Sequence, residues 1–356
     1  KNLFSTWPDI TVLFPWQNNG VKAGRTWVVG PNRDNLLDKL RCLFGASLGQ
    51  QPSLFKDSPT GRKFGDAPYQ LPPEQTKLQS LACENESGSV GLIPYAYRSF
   101  DRQYVIGDAR FLDRPGPSIW QAHSERQVYL TSLFSIPLGD GPAVVACANI
   151  PDLDSFRGSY GAKAVMPLYR DSSGAQPNIL PGLLDLLRSE YAQEVSPEEF
   201  AGYVYAVLAQ PEYTRRFAEA LADRQVRVPL TKDGQLFFRV AEYGQWLIWL
   251  HTYSERMAGE GRPKGRIPKG RAKCLKAVPD SEQEYPNEYE YSEKAEKLFV
   301  GAGSFGPVSP EVFEFEVSGL KVVKSWLGYR MRERSGRKSS PLDDIRPRVW
   351  THEFTR

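Results

Sequence analysis

Glycine and proline break residues 90–170 into short β-branched and aromatic runs, and beyond Pro177 the runs lengthen into amphipathic stretches that open at proline. That change of texture constrains the fold more than any other feature. A helix does not pass through frequent Gly and Pro, and short alternating runs bury a face only by pairing edge to edge. Strands are therefore expected at 90–97, 103–106, 127–132, 143–148 and 164–169. Ahead of them, 10–14 and 26–29 read as strands flanking the turn Asn18-Asn19-Gly20 and the basic loop Lys22-Ala23-Gly24-Arg25. Leu36, Leu37, Leu40 and Leu43 predict a helix over 34–44, stopped by Gly45, and 45–75 reads as a long connection.

After Pro177 the signals are helical. Ser196-Pro197-Glu198-Glu199 joins an N-cap serine, a proline at the first helical position and a capping-box glutamate, which predicts a helix over 197–209. Residues 179–191 are amphipathic, Pro211 opens a helix through Leu221, and 238–258 forms another with Trp246, Leu247, Trp249 and Leu250 as its apolar face. Residues 261–276 carry seven basic residues and no acidic one, whereas 280–297 carry seven acidic residues and two lysines. This pair reads as a flexible charged insertion, whose basic half either neutralises the acidic half or stays solvated. A strand at 313–317, a turn at Ser318-Gly319 and a helix over 321–334 complete the pattern. The expected class is α+β: a β-rich part (1–176), a helical subdomain (177–260), the insertion (261–297) and a small mixed C-terminal segment (298–356).

Several function classes are hard to build from these residues. A formal charge of +3 over 356 residues does not imply nucleic acid by itself, so a basic surface must come from local clustering. Cys42, Cys83, Cys147 and Cys274 lie too far apart for a disulfide framework or a zinc site and read as reduced, buried thiols. No apolar run approaches the roughly 18–20 residues of a membrane span. The start Lys1-Asn2-Leu3-Phe4 is neither a signal peptide nor an initiator methionine, so the chain is expected to be cytoplasmic and cut from something larger.

Gly301-Ala302-Gly303-Ser304-Phe305-Gly306 matches a dinucleotide fingerprint formally, but Pro307 and Pro310 lead toward a strand rather than the required helix, so it reads as a structural glycine loop. No Asp-x-Lys, Glu-x-Lys or Asn-Pro-Pro-Tyr occurs, no GxSxG motif accompanies any of the three histidines, and His251 sits on the Trp-rich helix as a packed core residue. Recognition rather than catalysis is the expectation, with no catalytic residue assigned.

What remains is a set of cations beside aromatics. Lys22 and Arg25 flank glycines, Arg98 and Arg102 bracket Phe100, and Arg110, Arg114 and Trp120 follow; Arg330, Arg334 and Lys338 crowd the last helix. Such groups suit phosphate neutralisation, bidentate guanine contacts and stacking. The competing reading of 97–104 is structural: Arg98 or Arg102 pairs with Asp101 while Tyr97, Phe100 and Tyr104 fill a core.

Several stretches form an ordered series. These are the segment 14–25, Tyr97-Arg98-Ser99-Phe100-Asp101-Arg102-Gln103-Tyr104, Val165-Met166-Pro167-Leu168-Tyr169 with Pro177-Asn178-Ile179, the run 203–213 with Arg227-Val228-Pro229-Leu230, and Trp326-Leu327-Gly328-Tyr329-Arg330 with 338–345. The series resembles the C-terminal region of single-polypeptide type I (type ISP) restriction-modification enzymes and their adenine methyltransferase relatives. Ser99 stands where that family usually has proline, and Ala209-Gln210 where it often has His-Ser. The resemblance implies a target recognition region that binds double-stranded DNA and presents an adenine to a methyltransferase core outside this chain. S-adenosylmethionine is then expected in that core, and no cofactor in this chain. A docking role for the helical middle, 178–258, is the alternative.

Overall fold

The computed structural model describes residues 3–47, 49–54, 65, 67, 69–79, 90–159, 165–333, 342 and 346–350. The strand expected at 10–14 is instead a helical turn, α1 (Ile10–Leu13): the Asp9 carboxylate accepts from the Thr11 amide at 2.8 Å and caps it, and Ile10 and Leu13 both enter the core. Four residues are too few for periodicity to separate one helical turn from a strand. Residues 26–28 likewise form a 3-10 turn, so only β1 (Val29–Gly30) is extended there. Helix α2 (Arg33–Gly45) follows as expected, capped by Asn32 and burying Leu36, Leu40 and Leu43. A short α3 (Gln51–Leu54) lies in the long connection, much of which falls outside the described residues.

The β-rich part folds from β2 (Leu92–Arg98), β3 (Asp101–Ile106), α4 (Pro117–Gln121), β4 (Tyr129–Thr131), β5 (Val145–Cys147), β6 (Ile150–Pro151) and β7 (Val165–Pro167). They make two small sheets, in the orders β1-β3-β2-β6 and β5-β4-β7. All neighbours are antiparallel except β2 and β6. The β2–β3 hairpin turns through Phe100, whose φ of +61° is left-handed.

The helices are α5 (Leu183–Tyr191), α6 (Pro197–Leu208), α7 (Pro211–Arg216) and α8 (Gly234–His251). The capping box of α6 forms in both directions between Ser196 and Glu199. Helix α7 stops earlier than Leu221 because Phe217 leaves the helical path to pack against Phe4 and Trp7, and a separate 3-10 turn covers Ala220–Asp223. Helix α8 runs from 234 to 251 rather than 238 to 258, since Asp233 caps it, accepting from the Leu236 amide at 3.0 Å. A Cβ at Gly244 would stand 1.7 Å from the Gly202 carbonyl oxygen, so α6 and α8 touch backbone to backbone.

The expected flexible insertion is corrected by the structure. Within it and just beyond, β8 (Lys273–Lys276), β9 (Tyr289–Ser292), β10 (Lys297–Val300) and β11 (Gly303–Gly306) pair in the order β8-β11-β10-β9. Val278, Tyr285, Leu298 and Val300 give this sheet a core of its own. The glycine-rich hexapeptide turns the β10–β11 hairpin at Gly301, with φ +52°, and opens no helix. The final strand and helix are shorter than expected: α9 (Pro310–Phe313), β12 (Glu316–Val317), β13 (Leu320–Lys321) and α10 (Val322–Gly328). Cys42 and Cys274 are exposed and Cys147 partly so, against the expectation of buried thiols; Cys83 lies outside the described residues. Among the described residues no helix is long and apolar enough to cross a membrane.

Candidate nucleic-acid interface

The β2–β3 hairpin carries the 97–104 motif, and its charges are turned inward. Arg98 forms a 2.8 Å ion pair with Asp152, both side chains about 10% exposed, and its guanidinium stacks 4.0 Å from the Tyr97 ring centre. Burial pushes the Asp152 carboxyl up while Arg98 beside it pulls it down, and the Tyr95 hydroxyl donates to it at 2.8 Å. Asp101 pairs with neither neighbouring arginine. It accepts from Arg330 at 2.7 Å, and both groups are buried. Arg102 reaches Glu255 instead and lies 4.0 Å from the Tyr253 ring centre. The core-filling half of the structural reading holds for Tyr97, which is buried, and Phe100 meets His251 edge-on at 4.9 Å.

The remaining predicted cations divide similarly. Arg25 is buried and donates to the Phe111 carbonyl at 3.2 Å. Arg110 is buried against Asp108, donating at 3.0 and 2.6 Å, and the buried Trp120 donates its indole N–H to the Pro115 carbonyl at 2.6 Å. Lys22 lies 3.5 Å from Asp113, and its backbone exchanges two 3.0 Å hydrogen bonds with Arg114, which brings these two cations to one rim with the Arg114 side chain exposed. Arg334 and Lys338 lie outside the described residues. Burial of Arg25, Arg98, Arg110, Trp120 and Arg330 thus corrects the picture of a cationic surface built from this set. One partner was legible in the sequence: Asp108 stands two residues before Arg110.

A different basic surface is exposed. Ser254 accepts from the Gly265 amide at 3.3 Å and Pro263 from the Trp249 indole at 3.1 Å, which ties the start of the arm to the end of α8. Its far end is tied by β8–β11 pairing and the buried Val278. Between these anchors Arg266, Lys269 and Arg271 are exposed, and every residue of β8, including Lys273 and Lys276, is exposed as well. Among the described residues none of these five cations has an ion pair; the arm's one pair is Lys264 with Glu125 at 2.8 Å. The acidic residues Glu288, Glu290 and Glu293 lie on or beside β9, at the opposite edge of the sheet. Three strand spacings amount to roughly 14 Å, beyond the Debye length of about 8–10 Å at physiological salt. The basic half therefore does not neutralise the β9 edge. Sequence reading set this segment aside because charge density looks the same in a solvated loop and in a presented strand.

Neither His251 nor His123 takes part in a site, and His352 lies outside the described residues. His251 lies 2.6 Å from the Tyr205 hydroxyl through Nδ1, and burial lowers its pKa to about 4; burial and the nearby Arg256 lower that of His123 likewise to about 4. Among the described residues no cluster of His, Cys, Asp and Glu is arranged to hold a metal ion.

A family model described as the Type ISP C-terminal specificity domain matches residues 12–356. No curated protein matches the chain. Among solved structures it is similar to a DrdV–DNA complex determined by cryo-electron microscopy, with a TM-score of 0.62 and 19% identity over 95% of this chain and 33% of that one. It is also similar to a nuclease-deletion mutant of the Type ISP restriction-modification enzyme LlaGI in complex with a DNA substrate mimic (TM-score 0.56, 14% identity, 98% of this chain and 27% of that one). A third is the ATP-dependent Type ISP restriction-modification enzyme LlaBIII bound to DNA (TM-score 0.60, 14% identity, 98% and 23%). The likeness at these identities is one of fold, and the chain spans about a third or less of the length of these solved chains.

Proposed function

Because this chain belongs to the Type ISP C-terminal specificity domain family, we propose that it reads a target sequence in double-stranded DNA for a restriction-modification enzyme. In this reading it presents the target adenine to a methyltransferase core outside this chain, and S-adenosylmethionine is held by that core. The observation that carries the reading is the family match over 12–356. Support comes from the shared fold with three proteins solved with DNA or a DNA mimic. It also comes from the basic arm, five of whose cations have no ion pair among the described residues, since phosphate neutralisation by Lys and Arg supplies the sequence-independent share of DNA affinity.

The test is selection of random duplex DNA on the purified chain at two salt concentrations, followed by sequencing of what is retained. An enriched motif is expected. Retention without a motif would mean that base reading needs the methyltransferase core, and no retention would remove DNA reading from this chain.

One observation favours a second role alongside the first, docking by the helical middle. Helix α8 places Leu236, Val240, Tyr243, Leu247 and Leu250 along one stripe at alternating spacings of four and three, with Tyr243 69% exposed. Such a stripe suits packing against a partner helix. The occupant proposed is the methyltransferase core, since the similar solved chains extend well beyond the part matched. Tyr243→Glu should then abolish binding of a separately purified core while leaving duplex binding intact.

A further inference from the structure

We propose that residues 266–276 are a sequence-independent phosphate grip, in which Arg266, Lys269, Arg271, Lys273 and Lys276 hold the backbone of duplex DNA while the bases are read elsewhere. The proposal rests on the DNA-reading role above and assigns one part of it to named side chains.

The electrostatic state of the arm is the first argument. Five cations stand exposed with no ion pair among the described residues, whereas Arg98, Arg110 and Arg330 are consumed by buried carboxylates. A cation already held by a buried carboxylate has little field left to offer a phosphate; a free one offers all of it. The acid-bearing β9 lies across the sheet, so its carboxylates do not cancel the arm's field.

Shape is the second. Arg266, Lys269 and Arg271 precede the strand, and β8 is an edge strand paired only with β11. Only Lys273–Lys276 are strand, so ten steps at strand rise, about 33 Å, are the most the arm can reach, within the ~34 Å of one duplex turn. Both ends of this reach are fastened, at 263–265 and at 273–278, which limits the ordering entropy lost on binding. Edge lysines also guard strands against pairing with other chains. That role accounts for Lys273 and Lys276 but not for the three cations ahead of the strand.

Chemistry decides between gripping and reading. Three of the five are lysines, flexible point charges suited to phosphate, and among the described residues neither arginine is braced by a neighbour into the fixed fork that bidentate guanine contacts need.

The experiment measures affinity for random-sequence duplex between 50 and 200 mM salt, for the wild-type chain and for the variant R266Q/K269Q/R271Q/K273Q/K276Q. With one phosphate per charge, these side chains account for about 500-fold of the affinity lost across that range. The variant should bind all sequences more weakly, with a log–log salt slope shallower by about 4–5, and should retain the selected motif. A loop-only variant, R266Q/K269Q/R271Q, leaves the strand untouched and should shift the slope by about 3. If the wild-type chain binds duplex and the five-fold variant keeps the same slope, the grip alone is overturned. Loss of the motif with non-specific binding intact would make the arm a base reader and overturn it too. Absence of duplex binding by the wild-type chain would overturn the functional reading, and the grip with it.

Discussion

The β2–β3 hairpin and the arm at 266–276 are both rich in cations, and they end in opposite electrostatic states. In the hairpin and its surroundings, Arg98, Arg102 and Arg330 are each matched to a carboxylate and laid on an aromatic ring. In the arm, five cations are matched to nothing among the described residues. Arginine beside tyrosine is thus as good a way to fasten two parts of a fold as to bind a nucleic acid. The carboxylate's position decides which it becomes, and that position belongs to tertiary structure.

The sharpest way to break this comparison is to remove a hairpin fastener. Arg330→Ala leaves Asp101 charged and buried without its partner, and should cost about 3–5 kcal/mol in urea unfolding. The paired change Asp101→Asn with Arg330→Met should recover much of that loss, because no charge is then stranded. A cost below about 1 kcal/mol for the single change would mean that the pair is not the fastener described here.

Next in size is a pH effect confined to the body of the molecule. His251 and His123 are held near 4, below the ordinary histidine value of 6.5. The unfolded chain therefore binds more protons between these values, and stability is full above pH ~6.5 and lost as pH falls toward 4. The slope is at most about 1.4 kcal/mol per pH unit for each histidine. Chemical unfolding at pH 7.0, 6.0 and 5.0 should show it, His251→Gln should remove about half of it, and the five-fold arm variant should leave it as it was.

Smaller still is Arg102→Ala. Its pair with Glu255 is half-exposed, 43% on the arginine side, so the change should cost no more than about 1 kcal/mol of stability. Weakened motif binding with normal folding would place Arg102 among the base readers; unchanged affinity would leave it structural. The arm substitutions should fall within about 0.5 kcal/mol in stability, since exposed and unpaired side chains contribute little to it.

Legibility in the sequence followed the range of the interaction. Helix α6 was readable because its start signal is complete within four residues, Ser196 to Glu199. β2, β3, β4, β5 and β7 were readable as β-branched and aromatic runs between Gly and Pro, whereas the two-residue β6 was not. Helix α1 was not, since it depends on a single cap at Asp9 and on burial of Ile10 and Leu13 by distant residues. The Asp101–Arg330 pair joins positions 229 apart, beyond any local pattern. The sheet at 273–306 was hidden by its own charges: β8 is exposed throughout and β9 has no fully buried residue, so neither strand shows an apolar face within the charged stretch 261–297.

The most direct test of the contrast is residue-resolved labelling of lysine and arginine side chains, with and without saturating duplex DNA. The account predicts loss of label at Arg266, Lys269, Arg271, Lys273 and Lys276 and no change at Arg102. Shielding of Arg102 with the arm still freely labelled would contradict it.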